Sequence, residues 1–138
     1  MALVINDRVK ENSTTSGTGN ITLAGVAAGQ GNVTFNSGIG TSNTTYYCIF
    51  EQGTNTFEIG LGTLSGSTTL ERTTVINNSS GNTSKISFTG GTLDVFCTMP
   101  AAKTVYLDAT GNPVGAASAG LHLQWLLHYK GINYGTRF

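Results

Sequence analysis

The chain has 138 residues and a mass of 14.4 kDa, enough for one domain, since a chain near ~150 residues buries roughly 70% of its unfolded surface. Charged residues make up only 10% of it and cancel to zero net charge, so there is no basic field to hold a phosphate backbone, and nucleic acid is not an expected partner. Neutrality also favours association, which suits a protein that works inside an assembly.

The opening MALVINDRVK has a short apolar run before Asn6 and Asp7 and no basic region ahead of it, so it does not read as a secretory signal. From there the informative segments alternate every second residue, the period of a strand. The candidates in order are Leu3 to Val9, Ile21 to Ala24, Val33 to Phe35, Thr45 to Glu51, Phe57 to Leu61, Thr69 to Ile76, Ser84 to Thr89, Leu93 to Cys97 and Thr104 to Leu107. Phe57, Ile59 and Leu61 share one parity against Glu58 and Gly60, and Leu93, Val95 and Cys97 share one against Asp94 and Phe96. Gly, Asn and Ser clusters separate these runs at about ten-residue intervals, which predicts an all-β fold, an antiparallel β-sandwich or small β-barrel with a C-terminal extension. Threonine is abundant because its β-branch favours the pleat and its hydroxyl tolerates water on an exposed sheet face.

The core domain is expected over residues 1 to 110. GNPVGAASAG, residues 111 to 120, reads as a flexible Gly/Ala linker, and residues 121 to 138 as a C-terminal strand or arm. In LHLQWLLHY, Leu121, Leu123, Trp125, Leu127 and Tyr129 share one parity, so a strand fits better than a helix. Such a strand either folds back on its own sheet or adds to the open edge of a neighbouring subunit. With Tyr134 and Phe138, these residues are the candidate interface. The stretch falls short of the ~20 apolar residues of a membrane helix and is interrupted by His122, Gln124 and His128, so no membrane partner is expected.

Residue types that carry chemistry are scarce. No G-x-S-x-G elbow occurs. His122 and His128 would lie about 20 Å apart on a strand by its ~3.3 Å rise, too far to share a metal. Gly60 and Gly62 begin a weak G-x-G pattern, but Gly66 comes one residue late for a dinucleotide fingerprint, and the segment reads as a turn. Glu51 and Glu58 flank QGTNT and could face each other across a hairpin as a glycosidase pair, although an ordinary solvated pair is the expectation. Calcium-loop spacing is absent. Cys48 and Cys97 can bond only if the fold brings them into register, and two buried free thiols are expected instead. The Asn sequons at Asn12, Asn20, Asn32, Asn43, Asn77, Asn78 and Asn82 are what a composition rich in Asn, Ser and Thr produces by chance. Trp125, Tyr129 and Tyr134 could stack on a host glycan, but alternating aromatics more often pack into a core or an interface.

Three stretches resemble a group of small β-rich virion structural proteins of tailed bacteriophages: DRVKENSTTSGTGNITLAG at residues 7 to 25, NTTYYCIFEQGTNTFEIGLGTLSGSTTLERTTVINNSSG at 43 to 81, and TGGTLDVFCTMPAAKTVYLDATGN at 89 to 112. The resemblance spans residues 7 to about 112 and carries no catalytic or ligand residue; the tail after Gly111 departs from the shared module. It implies a non-enzymatic component of the virion without cofactor or metal, either a capsid decoration or cement protein or a tail, neck or fibre-associated protein. Its partners would be the major capsid protein or tail proteins, and other copies of itself in a homo-oligomer. A carbohydrate-binding module for host surface glycans is the rival reading.

Overall fold

A computed structural model describes residues 1 to 115. The chain divides into two compact units, Met1–Met99 and Pro100–Phe138. The first unit contains β1 (Lys10–Ser13), β2 (Ser16–Gly17), β3 (Ile21–Thr22), a single helical turn α1 (Phe35–Gly38), β4 (Thr44–Glu51), β5 (Phe57–Gly66), β6 (Thr69–Asn78), β7 (Phe88–Thr89) and β8 (Leu93–Cys97).

The architecture is all-β. Six strands form one antiparallel sheet in the order β1-β8-β4-β5-β6-β3, and β2 pairs with β7 as a short separate ribbon. The sheet nearly closes into a barrel. Its edge strand β1 bonds the segment that continues β3: the Asn12 amide donates to the Gly25 carbonyl at 2.9 Å, the Ala24 amide to the Asn12 carbonyl at 2.8 Å, and Ser13 Oγ to the Thr22 carbonyl at 2.7 Å. The curvature comes from register shifts in the β5/β6 pair at Ile59/Gly60, Leu61/Gly62 and Leu64/Gly66, because each bulge bends and twists its strand. Inside lie Val9, Ile21, Leu23, Phe35, Ile39, Tyr47, Ile49, Leu64, Leu70, Phe88, Leu93 and Val95.

Several segments depart from the alternation in the sequence. Leu3 to Val9 is not a strand: Asp7 and Arg8 form a turn with Arg8 at φ 61°, and only Leu3 and Val9 make isolated bridges, to Thr44 and Val33. The ladder starts one step later and buries Glu11 and Ser13. Val33 to Phe35 gives way to α1, whose cap is the Thr34 hydroxyl accepting the Ser37 amide at 3.1 Å, and Phe35 drops fully into the core. Most of Ser84 to Thr89 is loop, since the Asn78 side chain organises the preceding turn: its Oδ1 accepts the Ser80 and Asn82 amides at 2.9 and 3.1 Å, and its Nδ2 donates to the Ser84 carbonyl at 2.6 Å.

Gly60 and Gly62 are not in a turn. They lie mid-strand in β5 on its inward face, and the Tyr47 ring rests against them. A methyl group at Gly60 would sit 2.5 Å from the Thr74 carbonyl oxygen and 2.6 Å from the Tyr47 hydroxyl. Glycine is required here for close approach rather than for its dihedral freedom.

The second unit, by itself, begins with a 3-10 turn at Ala101–Lys103, followed by the hairpin of β9 (Val105–Leu107) and β10 (Pro113–Gly115). Asp108 fastens its loop: its Oδ1 accepts the Thr110 amide and hydroxyl at 2.9 and 2.8 Å and the Asn112 amide at 2.9 Å. A strand at Pro113–Gly115 therefore stands where the composition reads as the start of a linker. Residues 116 to 120 and the expected arm at 121 to 138 lie outside the described residues.

Overpacking a tight core site costs about 1 to 3 kcal/mol. Gly60→Ala is expected to lose that much in urea-unfolding stability, whereas Gly19→Ala, with nothing within 4 Å of the added methyl, is expected to leave the unfolding midpoint nearly unchanged.

Candidate interaction face

On β5 the burial runs against the apolar pattern. Glu58, Gly60, Gly62 and Leu64 face the interior, while Phe57, Ile59 and Leu61 stand half-buried on the outer face. Three glutamates that would ordinarily be solvated, Glu11, Glu51 and Glu58, are each at most 2% exposed, so each must find hydrogen bonds inside.

Glu58 is the most elaborated. Its Oε2 accepts Arg72 Nη1 at 2.8 Å and the Ile86 amide at 2.7 Å, and its Oε1 accepts the Tyr47 hydroxyl at 2.7 Å. The ion pair is fully buried on both sides. Arg72 spends its other donors on backbone carbonyls: Nε to Gly19 at 3.0 Å, Nη2 to Gly17 at 3.1 Å and Nη1 to Ile86 at 2.8 Å, with its guanidinium 5.5 Å above the Phe88 ring. One side chain thus ties two loops to β6. Burial, the Glu58 charge and the hydrogen bond to Glu58 raise the Tyr47 hydroxyl well above its usual range, so it remains a donor.

Glu51 and Glu58 do flank the β4/β5 hairpin, but they are neither solvated nor partnered with each other. Glu51 Oε1 accepts the Thr89 hydroxyl at 2.6 Å and the Thr89 amide at 3.1 Å. The Thr89 hydroxyl above all, then the Thr89 and Gly91 amides, hold the Glu51 carboxyl below its usual 4.5, against the opposing effect of burial. Both carboxylates act as structural anchors, Glu58 accepting on both oxygens and Glu51 on Oε1, each tied to its own partners and not to the other.

With these polar groups turned inward, the outer face of the sheet is left apolar. Strand pairing aligns it in three rows: Lys10, Phe96, Cys48, Ile59 and Asn77; Asn12, Asp94, Phe50 and Phe57; and Tyr46, Leu61 and Thr74. The first row is polar at both ends and apolar between them; the second passes from Asn12 and Asp94 to Phe50 and Phe57, and the third from Tyr46 and Leu61 to Thr74. One side of the rim is a hydrogen-bonded set, with Lys10 Nζ 3.6 Å from Asp94 Oδ1 and the Asn12 and Gln52 side chains donating to the same oxygen at 2.9 and 3.1 Å. An apolar centre inside a polar rim is the anatomy of a protein interface.

Cys48 sits at the middle of this face, where burial pushes its thiol up to about 11. Cys97 pairs across from inward-facing Tyr47, and its Sγ lies 3.4 Å from Thr45 Oγ1. Adjacent positions of β4 point to opposite faces, so the two cysteines are on opposite sides of the sheet; both are free and only half-buried. The interface candidates read from the sequence, Leu121, Leu123, Trp125, Leu127, Tyr129, Tyr134 and Phe138, all lie outside the described residues. The face formed by Tyr46, Cys48, Phe50, Phe57, Ile59, Leu61 and Phe96 was not singled out by sequence reasoning. Its available signal is that Glu58 shares parity with two glycines and Arg72 shares parity with Leu70, which marks the charged parity as the inward one.

Comparisons with protein-family models, curated proteins and solved structures find no match.

Removing one partner of a buried ion pair strands the other, which costs roughly 3 to 5 kcal/mol. Arg72→Met is expected to lose that much in chemical denaturation, while pairing it with Glu58→Leu is expected to recover part of the loss. Because the folded-state pKa of Glu51 is below its unfolded value, its contribution is complete above 4.5 and is lost as pH falls through the folded value. Urea midpoints between pH of about 6 and about 3 are expected to fall less steeply in Glu51→Gln than in the unaltered protein.

Proposed function

We propose that this chain is a non-enzymatic structural protein of a bacteriophage virion, most consistent with a capsid decoration or cement role, with a tail, neck or fibre-associated position as the alternative. The observation that carries the reading is the outer sheet face, whose apolar centre is bordered on its β1 side by the polar and charged side chains of Lys10, Asn12 and Asp94. Supporting it are the resemblance of residues 7 to about 112 to phage virion proteins, and the internal commitment of Glu51 and Glu58. Among the described residues, no three His, Cys, Asp or Glu side chains come together as a metal site.

The size of the face bears on the kind of assembly. Three strands spaced ~4.8 Å apart and about six residues at ~3.4 Å rise give roughly 300 Å² of projected area. A stable isolated pair needs about 1,200 to 2,000 Å² of buried surface in total, so this face alone would support only weak pairing. Repeated weak contacts become effective where neighbours are held at fixed spacing, as on a capsid lattice, because each further contact forms at high effective concentration. Zero net charge removes the long-range repulsion that would oppose such crowding.

Quantitative mass spectrometry of purified virions, scaled to the major capsid protein, tests the reading. Hundreds of copies per particle are expected for decoration; a number near six or twelve would favour the tail or neck, and absence from particles would overturn the proposal. Ile59→Glu, at the half-buried centre of the face, is expected to leave the unfolding free energy within about 1 kcal/mol yet reduce occupancy on particles at least about tenfold, a loss near 1.4 kcal/mol.

A further inference from the structure

Of the three buried glutamates, Glu58 has an arginine and Glu51 has a hydroxyl and amides, but Glu11 differs in opening onto a cleft. The cleft has a volume of about 410 Å³ and is lined by Glu11, Leu23, Thr34, Asn36, Ser67 and Thr68 among others. Glu11 and Leu23, 2% and 3% exposed, are its deepest residues; Asn36, Ser67 and Thr68 are exposed at its rim. Glu11 reaches the cleft because β1 buries its odd-numbered residues, and its carboxylate bridges two segments: Oε1 accepts the Gly25 amide at 3.1 Å and Oε2 accepts the Phe35 amide at 2.8 Å.

A carboxylate has about four acceptor directions, so these two amides leave about one on each oxygen. The ion pairs among the described residues are Lys10–Asp94 and Arg72–Glu58, neither of which involves Glu11. The rim holds uncommitted polar groups as well. Among the described residues, the Ser67 and Thr68 hydroxyls make no hydrogen bond, and Asn36 uses only its oxygen, accepting from the Thr41 hydroxyl at 2.9 Å. The cleft thus combines a paired acceptor at its floor, hydroxyl and amide groups around its mouth, and two aliphatic side chains, buried Leu23 and exposed Ala24.

We propose that this cleft binds one neutral sugar residue of a glycan, with two neighbouring sugar hydroxyls donating to the two Glu11 oxygens, the C–H side of the ring on Ala24 and the edge of Leu23, and Asn36, Ser67 and Thr68 bonding the remaining hydroxyls. A neutral sugar fits better than a cation because the walls supply hydroxyls and an amide rather than further carboxylates. The volume lies at the lower end of small-ligand pockets, which suits a single ring. This site is separate from the outer sheet face and does not depend on a virion role.

The test is titration of the ¹⁵N-labelled full chain with glucose, galactose, mannose and N-acetylglucosamine, following the Gly25 and Phe35 amides, whose protons point at the carboxylate. At least one sugar is expected to shift both signals saturably with a dissociation constant on the order of 1 mM. Ser67→Trp, which fills the mouth from an exposed turn without touching Glu11, is expected to weaken binding at least about tenfold, and Asn36→Ala to weaken it while preserving the rest of the spectrum. Absence of a saturable shift with every sugar, shifts of equal affinity in both variants, or shifts produced by methylammonium but by no sugar would each overturn the proposal.

Discussion

The inward face of β5 is organised by one buried contact, the Glu58 carboxylate held between Arg72 and Tyr47. The contact is possible only because Gly60 and Gly62 carry no side chain, which lets the Tyr47 ring lie flat on the strand and bring its hydroxyl to Glu58. Arg72 then reaches past the sheet to the carbonyls of Gly17, Gly19 and Ile86, so the loops around β2 and before β7 are fixed by the same guanidinium. Such a pair need not add net stability, since desolvating two charges offsets most of their attraction. Its physical consequence is register. A one-residue slip of β5 would bury Phe57, Ile59 and Leu61, which the hydrophobic effect alone would favour, but it would also expel Glu58 and leave Arg72 unpaired in the interior.

This inversion explains what sequence reading could and could not find. Period is a local property, and alternation located the strands at β4, β5, β6 and β8. Phase is not local. Which parity faces the core on β5 depends on Arg72, fourteen residues away, on Ile86 in a distant loop and on Gly17 in β2. The same limit applies at the amino terminus, where the apolar Leu3 to Val9 reads as a strand but the ladder is built by Lys10–Ser13 with Glu11 and Ser13 inward. Glu51 and Glu58 look like a solvated hairpin pair because their partners, Thr89 and Arg72, carry no spacing signal relative to them. Glycines between strands read as turns at Gly53 and Gly81, both at positive φ; Gly60 and Gly62 match that composition but serve close packing instead.

The functional reading follows from the same inversion. With Glu58, Gly60 and Gly62 on the inner face of β5, Phe57, Ile59 and Leu61 join Tyr46, Cys48, Phe50 and Phe96 on the outer face, and under the proposal another molecule removes this apolar surface from water. The polar set of Lys10, Asp94, Asn12 and Gln52 would bound the proposed contact on one side. A face of this extent suits many fixed neighbours better than a single strong partner, which links the packing of one buried ion pair to the proposed place of the protein on a particle.

Cys48 lies at the centre of the face and provides a direct probe of whether it is covered. The measurement is the alkylation rate of Cys48 in the free protein and in purified particles under the same conditions, with Cys97, on the other side of the sheet, as the internal reference. The account predicts that assembly slows Cys48 at least about tenfold relative to Cys97, the protection expected when an accessible thiol enters a close-packed interface. Equal slowing of both thiols, or none at Cys48, would contradict it.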